Sequence, residues 1–152
     1  MTDGKAARPF EILLVEDSPD DAELTSEALK EGRIFHNLHV VSDGIQALDF
    51  VHQRGEYASS PQPDIILLDL DLPRMDGRAV LSEIKAEESL KHIPVVVLTA
   101  SKVEEDILKS YRLHANCYVT KPIDMNQFID IIRSLENFWL TVVRLPSLSG
   151  NG

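Results

Sequence analysis

Residues 65–77 read IILLDLDLPRMDG, and the fold turns on how that stretch is understood. Ile65–Leu68 is apolar on both alternating faces, the pattern of a strand buried between two layers of helices. Asp69 stands where the apolar run stops, followed by Asp71, Pro73 and the turn signal Asp76–Gly77. In an open parallel α/β sheet, ligands bind in the crevice at the carboxyl ends of the strands. A carboxylate ending a central strand is therefore placed for chemistry. Taken alone, Asp69 equally suits a strand end or a cap for the next segment.

Working outward, Phe10–Val15 (FEILLV) predicts an earlier strand, broken by Glu16, Asp17, Ser18 and Pro19. Ser18 suits an N-cap, Pro19 the first helical position and Asp21 the third, opening a helix that ends at Gly32. Phe35–Val41 predicts a second strand, Gly44–Arg54 a helix and Gly55–Pro63 a polar loop. Beyond the central strand, Gly77–Glu88 predicts a helix and Ile93–Leu98 a fourth strand ending at Thr99. Ser101 and Glu104 have capping-box spacing ahead of a helix at Val103–Leu113, and Asn116–Val119 is a short fifth strand. Asp124 and Gln127 repeat that spacing before a last helix bearing Met125, Phe128, Ile129, Ile132 and Leu135 on one side. Five strands alternating with five helices predict an α/β fold, a parallel sheet covered on both faces.

The totals narrow the function classes. The chain has 152 residues, enough for one domain with a sizeable core, and 43% are hydrophobic, too many for a disordered chain. No apolar run approaches the roughly 20 residues needed to span a bilayer, and Met1–Pro9 lacks a signal-peptide core. One cysteine, Cys117, forms no internal disulfide, so the expectation is a cytoplasmic protein with no membrane association. A formal charge of −10 argues against an extended nucleic-acid surface.

Polar residues follow four of the strands: Glu16–Asp17, Asp69, Thr99 and Lys121. In a parallel sheet those ends open on one edge, and the ends of strands one and three become neighbours if the order is the flavodoxin-like, doubly wound 2-1-3-4-5, which is the expectation. Clustered carboxylates repel, by roughly 4 kcal/mol for two charges about 4 Å apart at an effective dielectric near 20. Protonation, Lys121 or a divalent cation must offset this. Oxygen-only donors suit Mg²⁺, while no histidine pair has zinc-like spacing nearby. With a cation and a lysine to neutralise a phosphoryl group, a carboxylate is a competent nucleophile toward phosphorus. Asp69 is then the phosphoacceptor, Lys121 and Thr99 contact the phosphoryl oxygens, and Asp17, helped by Glu16, holds Mg²⁺.

These residues, in this order, resemble the receiver domain of two-component response regulators. That pattern has an acidic pair after strand one, a phosphorylated Asp after strand three, Thr or Ser after strand four and Lys-Pro after strand five. Glu16–Asp17, Asp69, Thr99–Ala100 and Lys121–Pro122 match it, as do Pro73 and Gly77 in their spacing from Asp69. The resemblance covers about residues 9–137, leaving 1–8 as a flexible N-terminus and 138–152 as an apolar extension and tail. It implies that Asp17 binds Mg²⁺ directly, Glu16 through water and Asp71 by its backbone carbonyl. It implies a cis peptide at Lys121–Pro122, and a switch in which Thr99 turns toward the phosphoryl group and vacates space for Tyr118.

The segment NFWLTVVRLP at 137–146 is more apolar than a solvent-facing segment should be. With EYASSPQPDIILLDLDLP and HIPVVVLTAS it resembles the phytochrome-associated response regulators of cyanobacteria, a subfamily without an output domain that often dimerises. The expectation is a stand-alone response regulator in phosphorelay signal transduction, not an enzyme acting on a separate substrate. A sensor histidine kinase, a phytochrome, would phosphorylate it, and its output would be an unknown downstream protein. A homodimer would form through Phe138, Trp139, Leu140 and Val142. Asp69-Leu70-Asp71 also mimics the DxD signature of haloacid-dehalogenase phosphatases, but Leu72 and Pro73 follow the second Asp, and the acidic pair precedes Asp69 instead of following the lysine. A receiver-like adaptor that takes no phosphate is the third alternative, against which stand the intact acceptor, metal, hydroxyl and lysine positions.

Overall fold

A computed structural model describes residues 8–72, 75–99, 117–121 and 124–138, with side chains to residue 135 in the last segment. The strands are β1 (Phe10–Val15), β2 (His36–Val41), β3 (Ile65–Asp69), β4 (Val95–Thr99) and β5 (Cys117–Thr120). The helices are α1 (Pro19–Glu31), α2 (Gly44–Val51), α3 (Gly77–Ala86) and α4 (Met125–Phe138). Every strand pair is parallel and the order is β2-β1-β3-β4-β5, the flavodoxin-like arrangement expected. The expected helix at Val103–Leu113 lies outside the described residues. Among the described residues no helix is long and apolar enough to cross a membrane.

β1, β3 and β4 are buried along their whole length, as runs with apolar residues on both faces require. One face carries Leu13, Val15, Leu68 and Val97 against α2 and α3. The other carries Ile12, Leu14, Leu67 and Leu98 against α1 and α4, whose Phe128 and Ile132 are fully buried. Edge strand β2 is half-exposed, and there polar residues take part: Glu11 accepts from Asn37 (3.1 Å) and pairs with His39 (2.8 Å).

Caps set the entry angle of each helix. Ser18 Oγ accepts from the Asp21 amide (3.2 Å), with Pro19 at the helix start, as the sequence predicts. Asp43 and Gln46 form a reciprocal box ahead of α2: the Gln46 amide donates to Asp43 Oδ1 (2.8 Å) and the Ser42 amide to Gln46 Oε1 (2.8 Å). The Gln127 amide donates to Asp124 (3.1 Å), as its spacing predicts.

Helix ends differ from expectation for physical reasons. α2 stops at Val51 rather than Arg54 because Gln53 adopts φ 55° and the Arg54 amide returns to the Asp49 carbonyl (2.9 Å). α1 ends alike: the left-handed residue is Arg33 (φ 58°), and the Ile34 amide bonds Leu29 (3.1 Å). Gly32 therefore serves packing, since a Cβ there would lie 2.8 Å from Ile129 Cδ1 of α4. α3 ends at Ala86, short of the expected Glu88, because Glu87 turns to extended backbone. β4 starts at Val95, after Pro94, and runs through Thr99.

Candidate functional site

Register brings the site together. Val15 pairs with Leu68, so Glu16 and Asp69 emerge side by side at the ends of β1 and β3. Thr99 pairs with Thr120, and the Lys121 amide donates to the Thr99 carbonyl (2.8 Å), so β5 delivers its lysine at the same edge. Asp69 is 3% exposed and Thr99 fully buried. The Asp71 amide donates to Asp69 Oδ1 (3.0 Å), turning the chain at Leu70–Asp71 back toward the carboxylate. The Gly77 amide donates to the Leu70 carbonyl (3.3 Å), and a Cβ at Gly77 would sit 2.7 Å from the Asp69 carbonyl oxygen, so a larger residue must displace backbone.

Lys121 Nζ donates to three carboxylates: Asp69 Oδ2 at 3.0 Å, Glu16 Oε1 at 3.2 Å and Asp21 Oδ2 at 3.2 Å. Burial opposes its charge, but the hydrogen bond and charge of Asp69, the charge of Glu16 and the bond to Asp21 prevail and hold the ammonium above the ordinary lysine value. Glu16 is pushed up to about 7, first by burial, then by its hydrogen bond with Asp69 and that residue's charge, against the pull of Lys121 and the Ser18 amide. Burial chiefly, with Asp69 beside it, thus leaves the Glu16 carboxyl about half-protonated near neutrality.

Glu16, Asp17 and Asp69 each offer a carboxylate oxygen within 4.8 Å of the others. Such a donor set fits a hard, small divalent cation: oxygen only, anionic, and open to water at the exposed Asp17. Among the other expected residues, Asp71 is exposed and reaches the site through its amide. Tyr118 is half-buried in β5 and packs against the core on the α2–α3 face. Phe138 ends α4, so the helix takes in the first residue of the expected extension. Trp139, Leu140, Val142 and Pro122 lie outside the described residues. Sequence reasoning assigned Asp21 only to the first turn of α1; its bond to Lys121 spans 100 positions, and no local signal announces it.

Comparison with known proteins agrees with this geometry. The family pattern described as the response regulator receiver domain matches residues 12–133. The chain is 50% identical over 139 residues to the response regulator Rcp1 of Synechocystis, covering 91% of this chain and 95% of that protein. It is similar to the solved structure of the phosphorylated cyanobacterial phytochrome response regulator RcpA (TM-score 0.74, 48% identity, 88% of this chain and 96% of that one). It is similar also to the Mn(2+)-bound form of Rcp1 (TM-score 0.73, 50% identity, 88% and 96%).

Proposed function

This chain belongs to the response regulator receiver family, and on that premise we propose that Asp69 accepts a phosphoryl group from a sensor histidine kinase with Mg²⁺ at the acidic cluster. The observation that supports the reading is the convergence of three clustered carboxylates with Lys121, whose ammonium lies 3.0 Å from Asp69. An Asp69 oxygen attacks phosphorus; the new P–O bond forms as the P–N bond of the kinase phosphohistidine breaks, and the electron pair leaves with the imidazole.

Asp17 and Asp69 would hold Mg²⁺ directly, Glu16 through water and Asp71 through its main-chain carbonyl. Mg²⁺ supplies charge neutralisation for the carboxylates and the phosphoryl oxygens. Lys121 and Thr99 take the transferred group's remaining oxygens. Thr99 moves toward it and Tyr118 fills the vacated space. Inverting a 1:99 equilibrium to 99:1 requires roughly 5.5 kcal/mol, which several charge-assisted bonds to one phosphoryl group supply.

The phosphoryl group stays on Asp69 until hydrolysis, so the protein acts as a signalling switch and not on a separate substrate. The likeness to RcpA, a cyanobacterial phytochrome response regulator, supports a phytochrome as the kinase. A homodimer through the apolar extension from Phe138 to Val142, a downstream protein as output and a cytoplasmic setting complete the proposal.

Incorporation of phosphate from acetyl phosphate, with Mg²⁺ or with EDTA, tests the reading on wild type and Asp69→Asn. The expected label is Mg²⁺-dependent, alkali-labile and absent from the variant. Label that survives in Asp69→Asn sinks the assignment. Light scattering of the same samples tests the dimer.

A further inference from the structure

The ammonium of Lys121 has three N–H bonds, and the three carboxylates around it come from the end of β1, the first turn of α1 and the end of β3. Two of them, Glu16 and Asp69, also belong to the cluster suited to a divalent cation, and Asp21 does not. Asp21 lies at the rim, its side chain 44% exposed, on backbone fixed by the Ser18 cap. A cation entering the cluster competes with the ammonium for Glu16 and Asp69 and repels it. Asp21 is the partner that the ammonium keeps. With the other two withdrawn its bond carries the ammonium alone, so it is stronger with the cation present than without it; that difference is what favours the cation.

We propose that Asp21 is a positioning residue: it retains Lys121 beside the site while a divalent cation takes Glu16 and Asp69, and so favours cation binding by way of the lysine. The inference rests on the reading that the acidic cluster binds Mg²⁺. It also keeps the lysine at hand for the phosphoryl oxygens, which the ammonium reaches only if the incoming cation does not drive it into solvent.

A structural role is the competing account, because an acidic residue in a first helical turn stabilises the helix dipole whatever the lysine does. Calorimetric titration with MgCl₂ separates the two, on wild type, Asp21→Asn, Asp21→Glu, Lys121→Ala and the double variant Lys121→Ala with Asp21→Asn. Asp21→Asn is expected to weaken Mg²⁺ binding roughly two- to fivefold, within the range of a partly exposed ion pair. Asp21→Glu, which keeps the charge, restores it. The double variant binds as Lys121→Ala does, because the effect needs the lysine.

Wild-type affinity in Asp21→Asn overturns the proposal, and so does an equal weakening with and without Lys121, which marks a field effect alone. Should Asp21→Asn fail to fold, Asp21→Ser takes its place in the cycle. Wild type that binds no Mg²⁺ and takes no label from acetyl phosphate overturns the functional reading itself. Wild type that does both, with Asp21→Asn unchanged, overturns only the role of Asp21.

Discussion

A carboxyl group that keeps its proton to about pH 7 reverses the usual pH dependence of an acid in an ion-pair cluster. Glu16 releases its proton at about 4.5 when unfolded and about 7 when folded. Between those values the folded chain binds more protons, so the stabilisation is fully present below about pH 4.5 and lost as pH rises through about 7. The full shift corresponds to on the order of 3 kcal/mol. Melting in EDTA is expected to fall as pH is raised through that window and to flatten in Glu16→Gln. A wild-type curve that rises instead refutes the account. The same residues show what a sequence discloses about a site. Glu16, Asp69, Thr99 and Lys121 are legible because each stands at or just after the end of a strand, and those ends share one edge. Asp21 is not, because its capping position already explains it and the bond to Lys121 joins residues 100 apart.

At the level of elements, close approaches decide which substitutions the fold tolerates. A Cβ at Gly32 meets the flexible end of Ile129, 2.8 Å away, which can move aside. A Cβ at Gly77 meets the backbone at 2.7 Å, both the Asp69 carbonyl oxygen and Leu70 Cα, which cannot move without shifting Asp69. Urea unfolding should therefore show Gly32→Ala destabilised by about 1 kcal/mol and Gly77→Ala by about 3 kcal/mol. The reverse order would mean that the loop after β3 is softer than the α1–α4 contact. Strands β1, β3 and β4 were legible because burial on both faces leaves continuous apolar runs. The end of α2 was not: its apolar stripe reaches Val51, and a glutamine takes the left-handed position where a glycine would have marked the stop.

For the molecule as a whole, the acidic cluster, where among the described residues one ammonium faces Glu16, Asp21 and Asp69, is a reservoir of stability that a cation releases. Mg²⁺ at about 100 times its dissociation constant is expected to stabilise the folded protein by about 2.7 kcal/mol, read as a rise in Tm. Asp17→Ala should remove most of that rise. An equal rise in the variant would place the ion elsewhere. Topology was legible because alternation of strand and helix leaves few right-handed arrangements, and the observed order is the expected one. The ammonium of Lys121 reaches back 52 positions to Asp69 and 105 to Glu16. During synthesis at roughly 5–20 residues per second, Asp69 thus exists for about 3–10 s before its lysine has been made. A nascent chain holds the acids without their internal counterion. The cluster is completed only once β5 has been made, and until then its folding is incomplete at the sheet edge.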